Sequence, residues 1–267
     1  MSLLEAIILG IIQGATEFLP VSSSGHSILV PTILGFETPD LNAVVVAHLG
    51  TMLAVLIYFF TDIKNIITGT IQGLITRTPM ATAESRLGWY IVVGSIPAAI
   101  AGLLLEDWFE SVFADPRWAA LFLIGTAALL VAGERLRSGE KTLEKMGWAD
   151  AIIIGIFQMF ALLPGISRSG STMVGGLIRG LDRPLAARYS FLMSAPIIFG
   201  AGVLQGIEMV SEGGWQSEIG SLAVVFITSA IVGYACIALL IAWLRKRNFY
   251  PFAIYCALFG VLFLLFW

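Results

Sequence analysis

Residues 13–27, with the sequence QGATEFLPVSSSGHS, place several polar groups inside an otherwise apolar stretch. They follow the apolar run 3–12, and Pro20 divides them into a helical arm and a serine-rich turn. A charged side chain at the centre of a bilayer costs roughly 2.5–3.5 kcal/mol on insertion scales. A carboxylate, an amide, the three hydroxyls of residues 22–24 and an imidazole this close together therefore indicate a functional site.

The composition of the whole chain predicts its class. Of the 267 residues, 58% are hydrophobic and 12% are charged, whereas a soluble domain has about 25% charged residues. A soluble fold of 28.7 kDa and mean hydropathy +0.90 could not bury so much apolar surface. We therefore predict an all-α polytopic membrane protein. The net charge of −3 argues against a nucleic-acid partner, which requires a basic surface.

Six apolar runs are long enough, or nearly so, to cross a hydrocarbon core of about 30 Å. They are residues 43–60, 89–105, 119–132, 187–207, 222–244 and 252–267. The loops between these runs alternate in charge. The basic loops carry Lys64, Arg77 and Arg86, then Arg135, Arg137, Lys141 and Lys145, then residues 245–247; the acidic loops carry Glu106, Asp107, Glu110 and Asp115, then Glu208, Glu212 and Glu218. Basic loops stay in the cytoplasm, so both chain ends are predicted outside.

Two further apolar stretches are interrupted by polar turns. Residues 3–35 break at the turn 20–26, and residues 149–180 break at the turn 164–172. Each half has about ten to fifteen residues, which is too short to cross a bilayer and is typical of a re-entrant helical hairpin. The charge pattern predicts that the first hairpin enters from outside and the second from the cytoplasm.

The two hairpins resemble each other. Residues 10–13 (GIIQ) match residues 155–158 (GIFQ), and Gly25 and Gly170 each lie fifteen residues after the first glycine of the match. Each hairpin precedes three predicted spans, which favours an inverted-topology repeat within a single membrane domain. The two halves would be residues 1–134 and 149–267.

Arg168 lies in the turn of the second hairpin, among small polar residues. Its neighbours there include Ser167, Ser169, Gly170 and Thr172. Glycine lets backbone N–H groups approach an anion, and a helix that starts after the turn points its positive end there. Arginine adds a planar fork that matches phosphate oxygens. The pattern predicts a phosphate or carboxylate cradle; the alternative is an ion pair with Glu17 that only joins the two hairpins.

Glu17 lies one helical turn after Gln13, so both side chains can face one ligand. Glu17 is predicted to hold a divalent cation with Gln13 or to orient His26; the alternative is that it only neutralises Arg168. His26 is predicted to act as a base or nucleophile, whereas His48 is assigned a structural role. The candidate hydroxyl nucleophiles are Ser22, Ser23 and Ser24.

With both motifs in place, the chain resembles the undecaprenyl-diphosphate phosphatases of the bacitracin-resistance type. The resemblance rests on Gln13-x-x-x-Glu17, on residues 17–26 (EFLPVSSSGH) and on residues 164–172 (PGISRSGST), and it extends to residues 251–255 (PFAIY). It implies a membrane phosphatase that hydrolyses undecaprenyl diphosphate to the monophosphate, recycles the lipid carrier for peptidoglycan and gives bacitracin resistance. The family is understood to need a divalent cation, here Mg²⁺ or Ca²⁺.

The resemblance also implies roles for individual residues. The expected catalytic residues are Glu17, Ser23, His26 and Arg168; the expected phosphate ligands are Ser22, Ser167, Ser169, Gly170 and Thr172; the expected metal ligands are Glu17 and Gln13. Some family members have glutamate at the position of Gln13, which leaves one carboxylate for the metal in this chain. The expected location is the bacterial cell (inner) membrane, with the site facing the outer side. The expected partners are a polyprenyl diphosphate, membrane lipid and a second copy of the chain.

Two alternatives from other classes stay open at this point. Inverted repeats with re-entrant hairpins also build transporters, so a transporter or flippase for an anionic or lipid-linked substrate is the second hypothesis. A purely structural scaffold is the third, although it leaves the cluster of Glu17, His26 and Arg168 unexplained.

The charge pattern makes a prediction about orientation. Single cysteines are placed in the loop around Lys141 or the loop around Glu212, in a chain that lacks Cys236 and Cys256. A membrane-impermeant thiol reagent added to intact cells should label the cysteine near Glu212 and spare the one near Lys141. The opposite labelling pattern would invert the topology and move the first hairpin to the cytoplasmic side.

Overall fold

The computed structural model describes residues 1–36, 39–105, 108, 112, 115–139, 141–213 and 218–267. Their helices are α1 (Leu3–Phe18), α2 (Ser23–Leu34), α3 (Leu41–Tyr58), α4 (Phe60–Ile75), α5 (Ala83–Leu104), α6 (Pro116–Leu136), α7 (Trp148–Phe160), α8 (Arg168–Ile178), α9 (Arg183–Glu212), α10 (Ile219–Leu244) and α11 (Tyr250–Phe266), with a short 3₁₀-helix at Leu143–Lys145. The acidic residues Glu106, Asp107 and Glu110 lie outside the described residues, as do the side chains of Glu208 and Glu212.

The predicted all-α membrane fold is confirmed. Helices α3, α5, α6, α9 and α10 are each long and apolar enough to cross a membrane. The sixth predicted span corresponds to α11, an apolar helix of 17 residues. The two interrupted stretches form the hairpins α1–α2 and α7–α8, whose arms have 11 to 16 residues. The chain is thus a multi-pass membrane protein.

Helix α4 is an element that the sequence analysis treated as part of a basic loop. It packs antiparallel to the start of α5, with Gly73 next to Ser85 and Ile66 next to Gly88. The side chains of its outer face are apolar and exposed. They are Phe60, Ile67, Ile71, Leu74 and Ile75. This spacing of three, four or seven residues is helical and could have revealed the element.

Contacts along the helices fix their directions. Helices α1 and α3 run parallel to α10, helices α7 and α9 run parallel to α5, and α9 is antiparallel to α3. Between α1 and α10, for example, Gly10 lies against Thr228 and Phe18 lies against Gly233. The two hairpins therefore enter from opposite ends of the bundle, as the inverted-repeat interpretation requires. The division into residues 1–134 and 149–267 stays a prediction.

Two buried carboxylates, Asp150 and Glu134, bind basic side chains of neighbouring loops and helices. Asp150 accepts hydrogen bonds from Lys141 Nζ at 2.9 Å and Arg179 Nε at 2.7 Å. Glu134 accepts two hydrogen bonds from Arg183, one of them at 2.7 Å from Nε. Lys141, one of the basic residues on which the predicted cytoplasmic side rests, thus also ties its loop to α7.

A close backbone contact seats the second hairpin against α5. A Cβ atom at Gly155 of α7 would overlap the carbonyl oxygen of Gly94, and one at Gly94 would lie 3.1 Å from the carbonyl oxygen of Ala151. Further along the same pair, the rings of Tyr90 and Trp148 meet edge to face at 5.0 Å. The position of α7 therefore depends on the absence of side chains at this crossing.

Gly155→Ala should destabilise the protein by about 1–3 kcal/mol, the usual cost of overpacking a core. The matched control is Gly102→Ala in α5, where a Cβ atom would meet no described atom within 4 Å. Because alanine is a better helix former than glycine, this control should keep or raise the melting temperature in detergent. Equal melting temperatures for the two variants would contradict the close packing of α5 and α7.

Candidate active site

The tips of the two hairpins meet inside the bundle. A Cβ atom at Gly25 would lie 3.1 Å from Gly165 Cα, and one at Gly170 would lie 3.3 Å from Pro20 Cβ. Across the same contact, Gly165 N–H donates to Ser24 Oγ at 3.4 Å. The glycines let the two turns approach within contact distance, which brings together the motifs that the sequence analysis singled out.

Hydrogen bonds from neighbouring elements satisfy the exposed backbone of the turns. Thr126 of α6 donates its hydroxyl to the carbonyl oxygen of Gly165 at 2.8 Å and accepts from Ser167 N–H at 2.9 Å. Ser169 Oγ donates to the carbonyl oxygen of Leu19 at 3.2 Å. Non-helical backbone at membrane depth needs such internal partners. These bonds therefore stabilise the non-helical conformation of both turns.

The tetrapeptides 22–25 (SSSG) and 167–170 (SRSG) make the same local bonds. In each, the first serine accepts a hydrogen bond from the glycine N–H, at 3.2 Å and 3.1 Å. The hydroxyls of the first and third residues lie 3.2 Å apart in both turns. These serines cap α2 and α8, so the positive ends of both helices start at the tips. Ser23 and Arg168 occupy equivalent positions in the two turns.

Glu17, at the end of α1, is the hub of the site. Its Oε1 accepts from Arg168 Nη2 at 2.6 Å. Its Oε2 accepts from Ser23 Oγ at 2.7 Å and from Gln13 Nε2 at 3.1 Å. His48 Nε2 lies 3.8 Å from the same oxygen. With 6% of Glu17 exposed, this buried carboxylate joins both hairpins and the span α3.

Arg168 uses only part of its guanidinium group to bind Glu17. Its Nη1 atom is buried and forms no hydrogen bond with any of the described residues. A buried donor without an acceptor costs about 1–3 kcal/mol, and an arginine fork matches the oxygens of a phosphate or carboxylate. The unused edge of Arg168 is therefore suited to bind an anion, and the predicted phosphate or carboxylate cradle stays a prediction.

His26, three residues after Ser23 in α2, has hydrogen-bond partners outside this hub. Its Nδ1 lies 2.8 Å from the carbonyl oxygen of Ser22, and its Nε2 lies 2.7 Å from the hydroxyl of Tyr255. The ring also stacks on Phe259 at 5.1 Å. Both ring nitrogens thus have partners other than Glu17, so Glu17 does not orient His26 in this structure.

The hydroxyls expected to bind phosphate already have protein partners. Ser22 and Ser167 cap the two helices, and Thr172 Oγ1 donates to the carbonyl oxygen of Arg168 and lies 2.6 Å from Ser190 Oγ. These bonds shape the turns around the anion-binding edge. The phosphate-binding roles of Ser22, Ser167, Ser169, Gly170 and Thr172 stay predictions.

The expected divalent cation has few protein ligands here. The described residues include no group of three or more His, Cys, Asp or Glu side chains placed to hold a metal ion. Gln13 turns its amide nitrogen, a donor, towards Glu17, whereas Mg²⁺ and Ca²⁺ bind oxygen atoms. The residues fit such a cation only in part, because a bound ligand or water must supply most of the oxygens.

Sequence reasoning missed three residues that the structure places at the site. They are His48, Thr126 and Tyr255. His48 is one of only two histidines, so its occurrence in a span was a usable signal. Thr126 and Tyr255 lie in apolar runs, and Tyr255 is 229 residues from its partner His26, so no local pattern connects them to the hairpins.

The chain is similar to a known family over nearly its whole length. The family model described as Bacitracin resistance protein BacA matches residues 6–262. A protein named undecaprenyl-diphosphatase from Chloroherpeton thalassium is 43% identical over 272 residues, covering 98% of this chain and 95% of that protein. Proteins of the same name from Methanosphaera stadtmanae and Hahella chejuensis are 42% and 43% identical, covering 98% and 97% of this chain and 97% and 96% of their own lengths.

The ion pair makes a prediction for a double-mutant cycle. Glu17→Gln and Arg168→Gln should each destabilise the protein by about 3–5 kcal/mol, because each leaves the other charge buried without its partner. The double variant should lose clearly less than the sum of the two. The free energy of unfolding in detergent is measured for the wild type and all three variants. The control pair, Glu17→Gln with Arg117→Gln at an exposed position, should be additive, and additive losses for Glu17 and Arg168 would contradict their coupling.

Proposed function

Because this chain belongs to the bacitracin resistance protein BacA family, we propose that it hydrolyses undecaprenyl diphosphate to undecaprenyl phosphate and inorganic phosphate. Identities of 42–43% to proteins named undecaprenyl-diphosphatase, over nearly the full length, support the reaction and the polyprenyl diphosphate substrate. The reaction recycles the lipid carrier of peptidoglycan synthesis. Recycling the diphosphate form is also the basis for bacitracin resistance in this proposal.

The observation that carries the proposal is the hydrogen bond from Ser23 Oγ to Glu17 Oε2 at 2.7 Å. A hydroxyl held by a carboxylate, with that carboxylate oriented by a third group, is the arrangement of an activated nucleophile. Arg168 is that third group, at 2.6 Å from the other carboxylate oxygen. Ser23 is partly accessible, so its hydroxyl can meet a substrate.

In the first step, Ser23 Oγ attacks the terminal phosphorus of the diphosphate. The new Oγ–P bond forms as the bridging P–O bond breaks, its electron pair leaves with the lipid monophosphate, and the hydroxyl proton passes to Glu17. In the second step, water attacks the phosphoserine, the Oγ–P bond breaks, and inorganic phosphate is released. Glu17 returns its proton to Ser23 Oγ, so the enzyme ends as it began.

Stabilisation of the transferred phosphoryl group comes from fixed positive groups at the tips. The unused edge of Arg168 supplies N–H donors, and the starts of α2 and α8 supply two helix ends of positive potential. Such preorganised charges act where negative charge develops in phosphoryl transfer. The two hairpins therefore contribute to one binding site for the terminal phosphate.

We also propose Mg²⁺ or Ca²⁺ as the cofactor, arriving with the substrate. Bound Mg²⁺ commonly takes one or two carboxylates and completes its shell with substrate phosphate oxygens and water. Glu17 would be the carboxylate ligand here, and Gln13 could contribute its amide oxygen after turning. When bound, the cation would neutralise charge on the diphosphate.

The location of the site suits a lipid substrate. Phe18, next to the hub, lies against Gly233, which is about halfway along α10. The lipid tail can then stay in the bilayer while its diphosphate reaches the hairpin tips. The charge pattern of the loops favours an entrance of the first hairpin on the outside, and on this basis we propose a bacterial cell (inner) membrane enzyme with an outward-facing site. A second copy of the chain as partner stays a prediction.

The test is phosphate release by purified protein in detergent from undecaprenyl diphosphate. The wild type should release phosphate steadily, and Ser23→Ala should lower kcat by about 1,000-fold or more, as loss of a nucleophile does in other hydrolases. Acid quenching with substrate labelled at the terminal phosphate should trap phosphoserine in the wild type only. Ser27→Ala, one turn further along α2, is the matched control and should keep wild-type turnover.

Other results would favour the alternatives. Full turnover by Ser23→Ala without trapped phosphoserine would contradict Ser23 as the nucleophile and favour direct attack by water. Absence of steady release by the wild type in detergent, with transport of a lipid-linked phosphate across vesicle membranes, would replace the enzyme proposal with the transporter hypothesis.

A further inference from the structure

A hydrogen bond joins the last helix to the first hairpin. The hydroxyl of Tyr255 in α11 lies 2.7 Å from Nε2 of His26 in α2. The two rings are nearly parallel, with an interplanar angle of 9° and centroids 5.6 Å apart. Phe259, one turn further along α11, stacks on both rings at 5.1 Å and 5.8 Å. His26 is therefore held both at its edge and on its ring face by α11.

The partners of His26 fix where its proton lies. The carbonyl oxygen of Ser22, 2.8 Å from Nδ1, can only accept a hydrogen bond, so Nδ1 carries the hydrogen. In the neutral ring Nε2 then has a lone pair, and the hydroxyl of Tyr255 donates to it. Since Nδ1 is committed to the backbone, Nε2 is the atom at which His26 can take up a proton.

We propose that Tyr255 is a positioning residue that controls Nε2, the reactive nitrogen of His26, in the proposed hydrolysis. This inference rests on that proposed function and on the catalytic role that the family resemblance implies for His26, and it assigns that role to a single ring nitrogen. The carbonyl oxygen of Ser22 sets the tautomer, and the hydroxyl of Tyr255 donates to the Nε2 lone pair and fixes the direction in which that lone pair points. A second group fixing the tautomer of a functional histidine is a general device.

The packing of α11 does not require this hydrogen bond. The buried face of α11 consists of other residues, namely Ala253, Cys256, Gly260 and Phe263. Tyr255 is 44% exposed, whereas His26 is 3% exposed. Phe259 stacks on His26 without any hydroxyl, so a phenylalanine at position 255 could keep the aromatic contact. The hydroxyl of Tyr255 is thus the feature that packing alone leaves unexplained.

Tyr255→Phe removes the hydroxyl and keeps the ring. We expect kcat to fall about 10- to 100-fold, because the positioned acceptor loses its partner, while KM changes less than about twofold. Tyr250→Phe is the matched control, since Tyr250 lies in the same helix with a similar exposure of 39%. The control should keep the wild-type kcat and KM.

A spectroscopic measurement without substrate tests the contact itself. The chain has two histidines, so ¹⁵N-histidine labelling gives a simple imidazole spectrum, and a His26→Gln sample identifies the signals of His26. The wild type should show a protonated Nδ1 and an unprotonated, hydrogen-bonded Nε2. Tyr255→Phe should shift the Nε2 signal or mix the two tautomers, and Tyr250→Phe should change neither.

The outcomes separate the two proposals. An unchanged His26 spectrum in Tyr255→Phe overturns the inference, and so does a fall in kcat that only accompanies a lower melting temperature. A changed spectrum with wild-type kcat also overturns it, because Tyr255 would then position a histidine that the reaction does not use. If the wild type fails to hydrolyse undecaprenyl diphosphate, the proposed function itself fails, whatever the spectrum shows.

Discussion

The ion pair between Glu17 and Arg168, 2.6 Å apart, is the interaction on which the arrangement of the hairpins depends. Either charge alone at this depth would be costly, and neither hairpin contains a full partner for its own charge. Each hairpin therefore supplies what the other needs. Because Glu17 also binds Ser23, the bond that joins the hairpins also places the hydroxyl beside the guanidinium. Stability and chemistry thus draw on the same few atoms.

A second constraint is that broken helices expose backbone groups where no water is available to bind them. The structure satisfies these groups with side chains from its own turns and from α6, through serine caps and through Thr126. Ser22 adopts a φ of 72°, which costs a non-glycine residue about 1–3 kcal/mol and is typical of functional turns. These bonds give backbone groups of both turns defined partners inside the protein.

Sequence patterns predicted most of the helices but not which helices contact one another. Apolar length predicted six spans, of which five are long apolar helices and the sixth is an apolar helix of 17 residues, and the proline-serine turns predicted both hairpins. Helix α4 was not predicted, because its residues were assigned to a basic loop despite their helical spacing of apolar side chains. Periodicity shows which face of a helix is apolar but not which helix covers it. For that reason no sequence pattern indicated that Tyr255 contacts His26, or that Glu17 is the residue approached by His48, although a histidine within a span was itself a signal.

The two turns share a pattern of cap bonds but differ in the chemistry of one side chain. Residues 22–25 and 167–170 share their caps, their serine contacts and a helix that starts at the centre. They differ at the second position, where one has Ser23 and the other has Arg168. The shared cap bonds start a helix at each tip although the backbones differ at the first residue, where φ is 72° at Ser22 and −70° at Ser167. In the proposed mechanism the differing side chains divide attack and charge neutralisation between the hairpins. A site built this way needs both turns intact, since neither carries the hydroxyl and the guanidinium together.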